Sequence, residues 1–244
     1  MKIIINGACG HMGREVCRLC ENSAEHAIVA RVDMTGAEGS LTNIRDYSGK
    51  ADVIIDFSHH SASPALVKYA VQRNIPIIIA TTGHDEDEYR AIKEASESIP
   101  VFMSANMSLG VALLVELAKK TAALLPGADI EIIEKHHNRK LDAPSGTALM
   151  IARAIEEVRH PVTFVYGRGG QAKREVNEIG IHAVRGGGIV GEHEVIVCTE
   201  SQTITLKHEA LSRSLFAEGA ISAAQFLIGK PAGLYSMQDI ARMG

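Results

Sequence analysis

The strongest constraint on what this chain can fold into is a rhythm in its first hundred residues: short β-branched runs separated by helical stretches. Lys2-Ile3-Ile4-Ile5, Ile28-Val29-Ala30-Arg31-Val32, Val53-Ile54-Ile55, Ile75 to Ile79 and Val101-Phe102-Met103 recur in this way. Unbroken apolar runs suit strands covered on both faces, whereas strands with one wet face alternate apolar with polar residues. The rhythm predicts an α/β chain built on a doubly wound parallel sheet, with ligands at the carboxyl ends of its strands.

After about Ser108 the pattern changes. A helix is expected from Gly110 to Leu125, a strand from Ile130 to Glu134 and a helix after Ser145. From Val162 to Leu206 the segments Thr163–Tyr166, Ile179–Val184, His193–Thr199 and Gln202–Leu206 are parted by turns such as Gly186-Gly187-Gly188. They predict a second, α+β domain with a mixed, mostly antiparallel sheet. The alanine-rich stretch Arg213 to Ile228 has helical spacing, stops at Gly229-Lys230-Pro231, and is expected to pack back on the first domain. Two domains result: residues 1–108 with 213–244, and residues 109–212.

Composition narrows the functional class. With 25 basic and 29 acidic residues the formal charge is -4, and no basic run marks a nucleic-acid or membrane partner. Lys119 and Lys120 interrupt the richest apolar segment, so no membrane span is expected. The first residues already read as a buried strand, which points to a cytoplasmic protein with free thiols. Cys17 and Cys20 have C-x-x-C spacing, but both fall on the first helix without a second ligand pair, and a core-packing role is expected for them.

Directly after the first strand comes Asn6-Gly7-Ala8-Cys9-Gly10-His11-Met12-Gly13-Arg14, and a helical pattern follows. Strand, glycine turn and helix in that order are the phosphate-binding element of a Rossmann-type dinucleotide domain. The glycines let the backbone approach a pyrophosphate, and the helix start offers amide donors and a favourable dipole. The spacing is G-x-x-G-x-x-G, so Cys9 stands at the usual second-glycine position. Asp33 ends the second strand twenty residues after Gly13, where a carboxylate accepts hydrogen bonds from a ribose diol, which favours NAD over NADP. Arg31 nearby offers a cation for a 2'-phosphate. Three further strand ends, Asp56-Phe57-Ser58, Thr81-Thr82-Gly83 and Ser104-Ala105-Asn106-Met107, fall where the nicotinamide half belongs, although small polar residues there also serve as caps and turns. His59 and His60 read as a loop or helix start, with cofactor contact as the alternative.

The most unusual chemistry lies in the run Glu134 to Thr147, which leaves a strand and enters a helix. Lys135, His136, His137, Arg139 and Lys140 can all be cationic, and Ser145-Gly146-Thr147 opens a helix whose amides attract anions. Carboxylates are the natural ligand. Either histidine can hold a proton near neutrality, as reduction of a C=C or C=N bond requires. A solvated basic surface loop is the other reading of these residues taken alone. Adjacent histidines do not converge on one ion and no H-x-x-x-H spacing is present, so no metal is expected.

These two motifs, Gly7 to Arg14 and Glu-Lys-His-His-Asn-Arg-Lys-Leu-Asp-Ala-Pro-Ser-Gly-Thr-Ala from Glu134, resemble the 4-hydroxy-tetrahydrodipicolinate (dihydrodipicolinate) reductase family. The resemblance extends through Ile55–Ser58, Ala80–Gly83, Ala105–Ser108 and Val184–His193, and so covers nearly the whole chain. It implies reduction of a cyclic dicarboxylate to tetrahydrodipicolinate with NADH or NADPH, in lysine and diaminopimelate synthesis, by a homotetramer whose core is the second sheet. Position by position it implies His136 as proton donor and acceptor and Lys140 as proton donor or substrate-polarising cation. It implies His137, Ser145, Gly146 and Thr147 as carboxylate contacts. On the cofactor side it implies Gly7, Ala8, Cys9, Gly10, His11, Met12, Asp33, Ala80, Thr81, Thr82, Ser104, Ala105, Asn106 and Met107. Cys9 and the run Ser58-His59-His60 depart from the family pattern and bear on cofactor preference. Rival readings are another nicotinamide-dependent reductase of a small dicarboxylate and a non-catalytic dinucleotide-sensing module. No cysteine stands in a polar motif as a nucleophile for aldehyde oxidation.

Overall fold

In the structure, a computed structural model that describes residues 1–243, the chain runs through the following elements. They are β1 (Lys2–Asn6), α1 (His11–Glu21), β2 (Ala27–Val32), β3 (Val53–Asp56), α2 (Ser63–Arg73), β4 (Ile77–Ile79), α3 (Glu86–Ser96) and β5 (Pro100–Met103). Then come α4 (Leu109–Leu124), β6 (Asp129–His136), α5 (Gly146–Glu156), β7 (Thr163–Tyr166), β8 (Glu178–Arg185), β9 (Gly191–Cys198) and β10 (Thr203–Ala210). The chain closes with α6 (Ser214–Leu227), β11 (Gly233–Tyr235) and α7 (Met237–Ala241). It divides into two compact units: Met1–Ser108 together with the chain from Ser214 onward, and Leu109–Arg213.

The first unit is a parallel sheet in the order β11-β5-β4-β3-β1-β2. Ile3, Ile4 and Ile5 of β1 and Ile77, Ile78 and Ile79 of β4 have no exposed surface, so successive side chains are buried on opposite faces of the sheet. Each such burial contributes about 1.5–3 kcal/mol, which is why these runs settle as interior strands. Cys17 and Cys20 are buried on α1, as core residues. The run from Ile75 enters the sheet only at Ile77. Asn74 takes a left-handed conformation (φ 51°) and the Ile75 amide closes back on the Ala70 carbonyl at 2.9 Å, so Ile75 finishes α2, while the Pro76 carbonyl already accepts from the Ile54 amide of β3 at 2.9 Å.

The second unit is a sheet in the order β10-β9-β6-β8-β7. Its β10–β9 and β9–β6 pairings are antiparallel, and β6–β8 and β8–β7 are parallel. The mixture is therefore even, where a mostly antiparallel sheet was expected. The reason is that β7 and β8 join as crossover strands on the far side of β6, a relation that strand periodicity does not encode. Alternation decides which face is covered: Ile130 and Ile132 of β6, Ile179 and Ile181 of β8 and Val195 and Val197 of β9 form one core with α4 and α5. β10 continues to Ala210, past the expected end at Leu206, because Lys207 to Ala210 pair with Glu194 to Gly191. β11 and α7 were not expected from the sequence.

Candidate active site

In the first unit the turn after β1 is shaped by glycine in a way few other residues allow. Gly7 has φ +76°, and a Cβ there would stand 2.7 Å from the Phe57 carbonyl and the Ser58 nitrogen. A Cβ on Gly13 would stand 2.0 Å from the Gly7 carbonyl oxygen, so α1 crosses the turn at a distance that excludes a side chain. The Gly7 and Ala8 amides donate to the Val32 carbonyl at 2.9 and 3.1 Å. α1 begins at His11 with Gly10 as N-cap and no side-chain cap, so no side chain satisfies its leading amides, which is the requirement for an anion cradle. Cys9 is accommodated at the second-glycine position. Its amide donates to Asp33 Oδ2 at 3.0 Å, while Sγ donates to the Ala37 carbonyl at 3.4 Å.

Asp33 is held as an anion at the end of β2. The Thr35 hydroxyl donates to Oδ1 at 2.7 Å, and this bond, with the Thr35 and Cys9 amides, keeps its carboxyl below the usual carboxylate range. Beside it opens a cavity of about 760 Å³, lined by Gly7, Cys9, Gly10, Asp33, Thr35, Arg45 and Ser58 among others. That volume is of the size small-molecule and cofactor sites take. Arg31, the expected neighbouring cation, is paired with Glu21 instead. The guanidinium that lines this cavity belongs to Arg45, which sequence spacing did not single out.

The other strand ends are positioned by local hydrogen bonds. Asp56 is fully buried, and its Oδ1 accepts from Asn6 Nδ2 at 2.8 Å and Ser58 Oγ at 2.6 Å, which ties β3 to the glycine turn. Burial pushes its carboxyl above the ordinary value. The Ala80 amide donates to the Asp56 carbonyl at 3.0 Å, and Thr81 Oγ1 lies 3.2 Å from His84 Nε2. Thr81, Thr82 and Ala105 line a second cavity, of about 390 Å³. Ser104 Oγ donates to the Asn106 carbonyl at 2.8 Å, the Asn106 side-chain oxygen accepts from the Ser108 amide at 2.8 Å, and Met107 is buried. His11 is exposed and Met12 half-buried. His59 caps a helical turn over His60–Ala62 and also lines the larger cavity, and His60 Nδ1 lies 2.7 Å from Glu88 Oε2.

The second unit makes its site from side chains. Glu134 and His136 lie two apart on β6, so both side chains stand on the same face of the sheet. Glu134 has no exposed surface. Its Oε2 lies 2.6 Å from His136 Nδ1 and accepts from Arg185 Nη1 at 2.8 Å. Its Oε1 accepts from Arg185 Nη2 at 2.6 Å and from the Ser145 amide at 2.9 Å. Burial alone would raise the Glu134 carboxyl, but Arg185, His136 and the Ser145 amide outweigh it and hold the group below its usual range. The charge is therefore paired and fully hydrogen-bonded, as a buried carboxylate must be.

Around this pair stand the other residues expected from the sequence. Lys140 Nζ lies 2.8 Å from Asp142 Oδ1 in the loop after β6. His137 is lowered from its ordinary value by desolvation first, then by Arg139, Arg213, His136 and Lys140. Ser145 is buried and caps α5, its Oγ accepting from the Ala148 amide at 3.2 Å and lying 3.0 Å from His193 Nε2. Its amide and hydroxyl are thus engaged within the fold. A Cβ on Gly146 would meet nothing within 4 Å, which leaves the head of α5 open there, with Thr147 following half-buried. Glu134, Arg185 and His193 were not singled out by spacing. The E-x-H alternation on a strand was the available signal for Glu134. Nothing local in the sequence brings Arg185 or His193 to it. His193 stands edge-on to His136, with ring centroids 5.2 Å apart, and burial pushes its imidazole down to about 4.

Comparison with known proteins bears on the whole chain. Residues 1–107 match the family described as dihydrodipicolinate reductase, N-terminus, and residues 110–241 match dihydrodipicolinate reductase, C-terminus. The chain is 50% identical over 249 residues to the 4-hydroxy-tetrahydrodipicolinate reductase of Caldanaerobacter subterraneus subsp. tengcongensis, covering 100% of this chain and 99% of that protein. It is 44% identical over 247 residues to the enzyme of the same name from Clostridium novyi, covering 99% and 98%. Among solved structures it is similar to the dipicolinate-bound dihydrodipicolinate reductase from Paenisporosarcina sp. TG-14, with a TM-score of 0.85, 26% identity and coverage of 98% and 99%. With both units matched and relatives aligned from end to end, the chain belongs to the dihydrodipicolinate (4-hydroxy-tetrahydrodipicolinate) reductase family.

Proposed function

We propose that this protein reduces 4-hydroxy-tetrahydrodipicolinate to tetrahydrodipicolinate with NADH or NADPH, in lysine and diaminopimelate synthesis, with His136 and Lys140 at the proton-transfer site. The observation that carries the reading is the buried Glu134 carboxylate on His136 Nδ1, in a chain whose other unit carries a glycine turn too close-packed at Gly7 and Gly13 to admit a Cβ. Bound NADH or NADPH supplies the hydride. The glycine turn Gly7–Gly10 with the start of α1 at His11 and Met12 holds its pyrophosphate. Asp33 takes the ribose, and the strand ends at Ala80–Thr82 and Ser104–Met107 take the nicotinamide half. Asp33 suits a diol and Arg45 suits a 2'-phosphate, and both line one cavity, which supports use of either cofactor.

On the substrate side, a carboxylate fits the head of α5 at Gly146 and Thr147, where helix amides and dipole favour negative charge. His137 lies in the loop leading there, and Ser145 acts by holding the helix start. His136 exchanges a proton at Nε2, and Lys140 adds positive charge against the developing anion. No helix among the described residues is long and apolar enough to cross a membrane. Separately, we place the enzyme in the cytoplasm. The face of the second sheet turned away from α4 and α5 carries Glu131, Ile133 and Lys135 of β6 beside Val184 of β8, a surface suited to pairing with another copy in a homotetramer. A solution mass of one chain by light scattering would rule that assembly out.

The test is turnover. Loss of reduced-nicotinamide absorbance is expected only when the freshly formed condensation product of aspartate semialdehyde and pyruvate is present. Binding of NADH with no substrate-dependent oxidation would instead identify a dinucleotide sensor.

A further inference from the structure

The carboxylate beneath His136 has more partners than burial alone requires. Each Glu134 oxygen accepts two donors: Arg185 Nη2 and the Ser145 amide on Oε1, Arg185 Nη1 and His136 Nδ1 on Oε2. Three of the four are fixed donors, since a guanidinium and an amide cannot turn into acceptors. The carboxylate has no proton of its own to give, so the hydrogen on the fourth bond must come from Nδ1. In the neutral imidazole one nitrogen carries the hydrogen and the other does not, and the partner of the first decides which. Among the described residues Nε2 has no hydrogen-bond partner, and it faces Gly191, where a Cβ would lie 3.0 Å from it. Besides Glu134, the charged and titratable groups around the imidazole are Arg185 from β8, which shares that carboxylate, His193 from β9 and the adjoining His137, with Lys140 from the loop after β6 acting on His193 and His137.

We infer that Glu134, clamped by Arg185, is the positioning residue that keeps the His136 hydrogen on Nδ1 and so makes Nε2 the atom that exchanges the reaction's proton. The same carboxylate fixes the Ser145 amide, and thereby sets the head of α5 against the proton site. One rigid anion aligns both features. The inference rests on His136 being the acid–base group.

The experiment pairs a spectrum with kinetics. In the full chain with ¹⁵N-labelled histidine, His136→Asn assigns the His136 signals. The neutral imidazole should show a protonated Nδ1 and a bare Nε2. In Glu134→Gln the amide NH2 competes for Nδ1 and should draw the ring toward the opposite tautomer. We expect kcat to fall at least about tenfold, with substrate KM within about threefold and the alkaline limb of the kcat profile moved to lower pH, because the proton-donating imidazolium loses its anion. Glu134→Asp should recover part of kcat. A neutral His136 protonated on Nε2 in the unaltered protein overturns the inference, whether or not Glu134→Gln folds. So does a Glu134→Gln enzyme with unchanged kcat and pH profile while His136→Ala is inactive. Full turnover in His136→Ala would instead remove the acid–base reading itself, so the two failures are distinguishable.

Discussion

The two units build their sites from opposite materials. In the first, the glycine turn works by the absence of side chains: Gly7 and Gly13 leave backbone against backbone, and α1 starts without a side-chain cap. In the second, the groups that matter are side chains from separate strands: Glu134 and His136 from β6 and Arg185 from β8 are joined by charge-assisted hydrogen bonds, and His193 from β9 stands against the His136 ring and meets the Ser145 hydroxyl. A backbone site tolerates loss of side chains and is damaged by gaining one. A side-chain site behaves the other way, and removing one partner leaves the others desolvated and unpaired.

The largest expected effect follows from the second half of that contrast. His136→Ala should lower kcat by about 10²–10⁴-fold, the range a positioned acid–base group supplies, with little change in the dinucleotide KM. Lys140→Ala should depress kcat less, because Lys140 is already shared with Asp142. Steady-state kinetics with either cofactor check both. If both variants keep full turnover, the second unit does not hold the proton site and the comparison collapses.

How far this contrast was legible in the sequence depended on distance along the chain. The glycine turn is contiguous, so strand, turn, helix and Asp33 were readable from Gly7 onward, and the buried strands from their isoleucine runs. His136, Lys140 and the helix start at Ser145 lie within ten residues and were readable too. Arg185 lies 51 residues from Glu134, and only the β6–β8 pairing, with His136 opposite Arg185, brings them together. His193 reaches Ser145 across 48 residues through the β6–β9 pairing, which sets it opposite Glu134. Arg45 escaped notice because a single 3-10 turn over Ile44–Asp46, too short for a periodic signal, carries it to the cavity, whereas Arg31, closer in sequence, is drawn to Glu21. β11 is only three residues long and too short for a periodic signal.

A second prediction sharpens the desolvation side of the comparison. His193 titrates at about 4 in the folded protein, against roughly 6.5 when exposed. Between those values the unfolded chain binds the extra proton and the folded one does not, so stability rises with pH across the window. The neutral His193 contribution is complete above about pH 6.5 and is lost as pH falls through 4, amounting to about 3 kcal/mol by then. Urea unfolding from pH 7 to 4 should therefore show a smaller acid loss in His193→Gln than in the parent. Parallel curves would move the acid sensitivity to another group.

The smallest effects belong to the first unit, and they test the other half of the contrast. Gly13→Ala places a methyl group 2.0 Å from the Gly7 carbonyl oxygen, so the turn must shift, at a cost of about 1–3 kcal/mol. A cofactor KM raised about tenfold corresponds to roughly 1.4 kcal/mol of that strain appearing in binding. Cys9→Ala removes Sγ from its contact with the Ala37 carbonyl but leaves the Cys9 amide on Asp33. Its cofactor KM should stay within about threefold of the parent, since Sγ makes only weak contacts, to the Ala37 carbonyl and the Ser40 hydroxyl, and about 0.5 kcal/mol is the usual reach of a substitution outside the core. Because addition is severe and removal mild only where the backbone does the binding, a Cys9→Ala enzyme weakened as much as Gly13→Ala would mean that the sulfur itself holds the cofactor.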